Sequence, residues 1–126
     1  MLNKCVLMGR LTRDPDIRMA GETKVANFSI AVERDMKNKQ TGEREADFID
    51  CTAWSSRAEF LERFFKKGSM IVVVGRLQMR KWEDKNGNNR VSAEIRVEET
   101  YFGESKQGGS VPEGFAPVGS EGDLPF

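Results

Sequence analysis

From Leu2 to Phe102 the apolar residues of this chain recur at every second position in one segment after another, and at helical spacing in a single stretch. A period of two marks a strand, because successive side chains of extended backbone point to opposite faces. In "VANFSIAVE" (25–33), Ala26, Phe28, Ile30 and Val32 share one face, and Asn27, Ser29 and Glu33 the other. In "RVSAEIRVEETYF" (90–102), Val91, Ala93, Ile95 and Val97 oppose Ser92, Glu94, Arg96 and Glu98. The mostly apolar "LNKCVLMGRL" (2–11), "ADFIDCTAW" (46–54) and "SMIVVVGRLQMRKW" (69–82) complete a set of five strands. "KNKQTGERE" and "EDKNGNN" supply turn chemistry between them. The helical stretch is "SSRAEFLERFFKKG" (55–68). There Ser56 and Glu59 match a capping box, Ala58, Leu61 and Phe65 line one side with Phe64 beside them, Lys66 and Lys67 suit the negative end of the helix dipole, and Gly68 is a stop.

Five strands with one helix between the third and fourth predict an all-β fold, a five-stranded oligonucleotide/oligosaccharide-binding (OB) barrel. A chain of 126 residues has room for one such core. From Gly103 onward the composition changes: six of the 12 glycines and three of the 4 prolines fall there, without apolar periodicity. The expected organisation is therefore a barrel over 1–102, a flexible linker over 103–120 and an acidic-hydrophobic tip over 121–126, the whole tail disordered. A tail of this kind has a root-mean-square reach of roughly 25 Å.

Several chemistries are excluded or weakened by what is missing. With no histidine there is no Ser-His-Asp or Cys-His nucleophile, no histidine base and no histidine-held metal. Cys5 and Cys51 are far apart and fit buried reduced thiols better than a disulfide or zinc site. The start lacks the pattern of a signal peptide and no long apolar run follows, so the expectation is a soluble, cytoplasmic protein without cofactors. The formal charge of zero hides an asymmetry: residues 103–126 carry one cation against four acids, which leaves the body 19 cations against 16 acids, or +3, and the tail −3.

Phe48, Trp54 and Trp82 break the alternation. Ile49, Cys51 and Ala53 form the core series of their strand, yet Phe48 and Trp54 lie on the other face beside Asp50 and Thr52. Trp82 likewise ends the polar series Arg76, Gln78, Arg80, opposite Ile71, Val73, Leu77 and Met79. Flat rings beside Arg76, Arg80 and Lys81 are what unstacked bases and a phosphate track require. A lone ring of this sort is more often a core residue or a patch closer; three out of phase favour a single-stranded nucleic-acid surface. An RNA-preferring OB domain, a small magnesium-dependent hydrolase using Asp14, Asp16 and Asp50, and an adaptor working through its tail stay open at this point.

The segments "LNKCVLMGRLTRDPDIR", "VANFSIAV", "TGEREADFI", "FFKKGS", "VVGRLQMRKWED", "GNNRVSAEI" and the closing "DLPF" together resemble bacterial-type single-stranded-DNA-binding proteins. The resemblance implies an OB fold, a homotetramer, no enzymatic activity, and a nucleoid-associated role coating DNA in replication, recombination and repair. It places stacking aromatics on Phe48, Trp54 and Trp82, with Met36 at a further position that is tryptophan in some members. Phosphate contacts fall on Arg80, Lys81, Lys67 and Arg18, and Lys37 and Lys39 join them from the adjacent hairpin. Ser56 stands where some members carry lysine. The tip residues Asp123, Leu124, Pro125 and Phe126 correspond to the segment that recruits partner proteins, while Gly122 departs from the consecutive acids common there.

Overall fold

The computed structural model describes residues 1–103; the linker and tip expected from the sequence lie outside them. Its elements are β1 (Cys5–Leu11), β2 (Asp16–Ala20), β3 (Thr23–Lys37), β4 (Arg44–Trp54), α1 (Ser56–Phe64), β5 (Met70–Glu83) and β6 (Asn89–Phe102). All five strands read from the sequence are present, with the helix in the expected interval. The addition is β2, a five-residue strand that pairs with β3 from Asp16↔Asn27 to Ala20↔Thr23. Its burial is slight and its pattern is only weakly alternating, so the period that revealed the other strands does not reveal this one.

The strands close on themselves. β1 pairs with β5, β5 with β6, β6 with β4, β4 with β3, and β3 returns to β1 through Arg10↔Ala31 and Leu11↔Ile30. All these ladders are antiparallel except β4–β6, which is parallel over Asp50–Thr52 and Glu94–Arg96. Closure removes the free edges that an open sheet would expose. This ring of five with one helix is the OB barrel.

The core comes from the inward series. Leu11, Ala26, Phe28, Ile30, Cys51, Ala53, Ile71, Val73, Ile95 and Val97 meet Ala58 and Leu61 of α1 and Phe65 just beyond it. Burial pushes the Cys51 thiol up to about 12, and the nearby Asp50 and Glu94 carboxylates push the same way. Cys5 is only half-buried. Two glycines let strands cross at close range. A Cβ on Gly9 would stand 2.6 Å from the Ala31 carbonyl oxygen, where β1 passes from β5 to β3. A Cβ on Gly75 would collide with the Arg96 carbonyl, at the irregularity where β5 turns against β6.

Several local expectations are revised. The N-cap of α1 is Ser55, in an unusual conformation with φ 58°, and no side chain caps the helix; the Ser56–Glu59 box is not formed. The helix ends at Phe64, with Phe65 extended, so Lys66 and Lys67 lie past it, and Gly68 (φ 87°) shapes the following turn instead of stopping the helix. The largest revision concerns β5 and β6. Past Gly75 and before Ile95 these strands leave the barrel as a projecting hairpin, so Leu77, Met79, Val91 and Ala93, assigned to the core by parity, are exposed. Parity tells which face a residue occupies; it does not tell where the barrel stops. The hairpin tip is set by Asp84, whose carboxylate accepts from the Asn86 and Asn88 amides and from Arg90 Nε. Those bonds, the Asn88 amide first, hold its carboxyl below the usual range.

Candidate nucleic-acid interface

Strand registers place the three out-of-phase aromatics on one surface. Directly paired residues share a face. Trp54, Thr52, Asp50 and Phe48 of β4 pair with Val25, Asn27, Ser29 and Ala31 of β3, and on the other side Asp50 and Thr52 pair with Glu94 and Arg96 of β6. Arg96, Glu94, Ser92 and Arg90 then pair with Arg76, Gln78, Arg80 and Trp82 of β5 in reverse order, as Arg76↔Arg96, Gln78↔Glu94, Arg80↔Ser92 and Trp82↔Arg90. The surface therefore runs continuously over four strands, with Phe48 and Trp54 along β4 and Trp82 out on the hairpin.

Each ring is held differently. Phe48 is 72% exposed. Trp54 is half-buried at the end of β4, with the Arg96 guanidinium 4.9 Å from the centre of its ring. Its Nε1 is buried without a hydrogen-bond partner among the described residues. Trp82 is 41% exposed, and its Nε1 donates to Ser92 Oγ at 2.7 Å, which fixes the indole across the hairpin.

Between the rings lies a polar depression of about 390 Å³, lined by Arg13, Asn27, Asp50, Thr52, Trp54, Arg80 and Glu94 among others. Thr52 Oγ1 is 3.2 Å from Asn27 Oδ1 and 3.5 Å from Glu94 Oε2, tying β3, β4 and β6 together across its floor. Arg80 Nε approaches Glu94 Oε2 at 3.8 Å, so it is oriented by a carboxylate yet more than half exposed. Such a weakly held guanidinium remains able to meet a phosphate. Among the described residues no group of three or more acids or cysteines could hold a metal ion.

The cations expected from the sequence divide into two sets. Arg76 and Arg80 share the face with the rings. Lys81 alternates to the reverse of the hairpin, level with Val91. Lys67 follows the helix, its backbone amide donating to Asp14 Oδ1, and Arg18 on β2 is paired with Asp16 at 3.1 Å. Met36 and Lys37 end β3 where its register shifts between Glu33 and Lys37, and Lys39 lies in the turn after it; none of these six lines the depression. The reading from sequence missed Arg13, Asn27 and Arg96. Alternation already placed Arg96 on the outward face of its strand, but its partner Trp54 is revealed only by the parallel β4–β6 pairing.

A closed OB barrel carrying exposed rings and exposed guanidinium groups on one strand face defines a binding module of the single-strand-reading class. Residues 2–103 match the model of the single-strand binding protein family, and the chain belongs to that family, whose members bind without catalysing a reaction. It is 47% identical over 110 residues to single-stranded DNA-binding protein A of Bacillus subtilis, covering 86% of this chain and 63% of that protein. It is 49% identical over 112 residues to a single-stranded DNA-binding protein of Oceanobacillus iheyensis, covering 86% and 69%. Against a single-stranded DNA-binding protein of Caldanaerobacter subterraneus the match runs through both chains in full, at 37% identity. No helix among the described residues is long and apolar enough to cross a membrane.

Proposed function

We propose that this chain binds single-stranded DNA with little regard to sequence, coating and protecting it during replication, recombination and repair in the bacterial cytoplasm. The observation that carries this reading is the common face of Phe48, Trp54 and Trp82 with Arg76 and Arg80. Every base has a flat side, so stacking accepts any sequence and contributes on the order of 1–3 kcal/mol per base. Phosphate contacts add a term that weakens as salt rises, through counterion release. The relatives named above are described as single-stranded DNA-binding proteins, which supports DNA as the ligand.

Two further parts belong to this proposal. The outward side of β1 exposes Val6 and Met8, with Tyr101 of β6 close by across the β5 ladder; an apolar strip of this kind suits assembly into a homotetramer. The tip residues Asp123, Leu124, Pro125 and Phe126 recruit partner proteins by offering acids and apolar side chains to a pocket with a basic rim.

Tryptophan fluorescence during titration with oligo-dT, oligo-U and duplex DNA, at low and high salt, tests the binding. Strong quenching by oligo-dT with a weak duplex response is the expected result. Equal or stronger binding of oligo-U would move the function to RNA. Absence of quenching by any strand, with the protein folded, would leave the adaptor reading in its place.

A further inference from the structure

Trp82 stands on the part of β5 that projects beyond the barrel, where the strand is exposed on both faces. Core packing does not fix its ring there. Its direct partner across the ladder is Arg90, which Asp84 draws to the hairpin tip, Arg90 Nε donating to Asp84 Oδ2 at 3.0 Å. Ser92 is one pair nearer the barrel, opposite Arg80. An aromatic side chain can span that diagonal, and the indole does so: Trp82 Nε1 donates to Ser92 Oγ at 2.7 Å. The ring therefore leans toward the barrel, level with Arg80.

Nothing comparable holds it from the tip side. Open space of about 500 Å³, bordered by Trp82, Glu83, Asn89 and Arg90 among others, leaves room for the ring to swing outward. A ring moved from the level of Ser92 to that of Arg90 shifts by about 7 Å along the hairpin and takes its base away from the Arg80 guanidinium. Holding the ring in place before a strand arrives removes an ordering cost from binding.

We propose that Ser92 is a positioning residue for single-strand binding: by accepting the Trp82 indole N–H it keeps the ring beside Arg80, so that one nucleotide meets both a stacking plane and a cation. The proposal rests on the single-stranded-DNA reading above and names a residue through which that surface works. Ser92 acts through the indole and not by touching the strand.

The test is a double-mutant cycle on the full chain with fluorescein-labelled oligo-dT at one salt concentration, placing Ser92→Ala in the native background and again in Trp82→Phe, whose ring still stacks but has no N–H to donate. Ser92→Ala is expected to weaken binding about 3- to 10-fold in the native background, the size of one net hydrogen bond, and by less than about 2-fold in the Trp82→Phe background. Ser92→Thr keeps the hydroxyl and should restore the affinity. In a Trp54→Phe protein, where Trp82 is the one remaining tryptophan, Ser92→Ala should also lower the fluorescence anisotropy of the free protein, because the ring is released. An equal loss of affinity in both backgrounds would show that Ser92 touches the strand or merely supports the hairpin, and would overturn the proposal. Unchanged binding in Ser92→Ala, unchanged anisotropy, or a threonine variant as weak as the alanine one would overturn it too. If the unaltered chain did not bind oligo-dT, the single-stranded-DNA reading itself would fall.

Discussion

The Arg96 guanidinium lies 4.9 Å from the centre of the Trp54 ring, reaching it from the neighbouring strand of a parallel pair. On the single-strand-binding reading proposed above, a base arriving at Trp54 would meet this cation, and a flat guanidinium can cover the base's second side while its charge faces phosphate. Arg96→Ala is therefore expected to weaken oligo-dT binding about 3- to 30-fold, or roughly 0.6–2 kcal/mol. Arg96→Lys keeps the charge without the plane and should recover only part of the loss. Titration of the three proteins side by side checks this; full affinity in the lysine variant would mean that the plane takes no part.

Phe48 gives a cleaner separation of binding from folding. Its ring is 72% exposed, so Phe48→Ala removes little buried area and should leave the melting temperature unchanged, a stability change within about 0.5 kcal/mol. Its loss as a platform should weaken single-strand binding about 5- to 100-fold. Thermal melting and oligo-dT titration of one preparation decide the matter. A large fall in melting temperature would identify Phe48 as a structural residue.

The contrast between β4 and the hairpin explains how much of this could be read from the sequence. Alternation in 46–54 separated Ile49, Cys51 and Ala53 from Phe48 and Trp54, and the structure keeps that division because β4 lies within the barrel wall, with one side facing the core. In β5 and β6 the same rule named Met79 and Val91 as core, although both are 58% exposed. Their strands outrun the barrel, and strand length past the last core layer leaves no mark on the alternation. Arg96 and Asn27 were on the correct face but without partners, since register between distant strands is a property of the closed ring. β2 escaped notice because an outlying strand with almost no burial has little reason to alternate.

Gly75 links fold and site. Its missing side chain lets β5 pass against the Arg96 carbonyl at the point where the ladder shifts register. Gly75→Ala forces that backbone away and should cost about 2–3 kcal/mol of stability. Because the displaced residue is Arg96, the variant should also lose single-strand affinity at temperatures where it remains folded. Circular dichroism melting with titration well below the transition measures both. A variant that melts early yet binds normally would separate the packing at Gly75 from the placement of Arg96.

The buried Cys51 thiol gives the stability a sign on the alkaline side. Burial raises its folded value to about 12 from a reference of 9.0, with Asp50 and Glu94 adding to the shift. Above pH 9 the unfolded chain releases this proton and the folded chain does not, so unfolding gains and stability falls; the contribution is complete below pH 9 and is lost progressively toward pH 12. Between pH 9 and 10 the loss should be about 1 kcal/mol. Cys51→Ala removes the titrating group while lysines and Tyr101 titrate in both proteins, so the difference between the two isolates the thiol. Urea unfolding at pH 8, 9 and 10 should show the native protein losing more stability than the variant over the last step. Parallel losses would mean that Cys51 reaches solvent in the folded protein and ionises there as freely as in the unfolded chain.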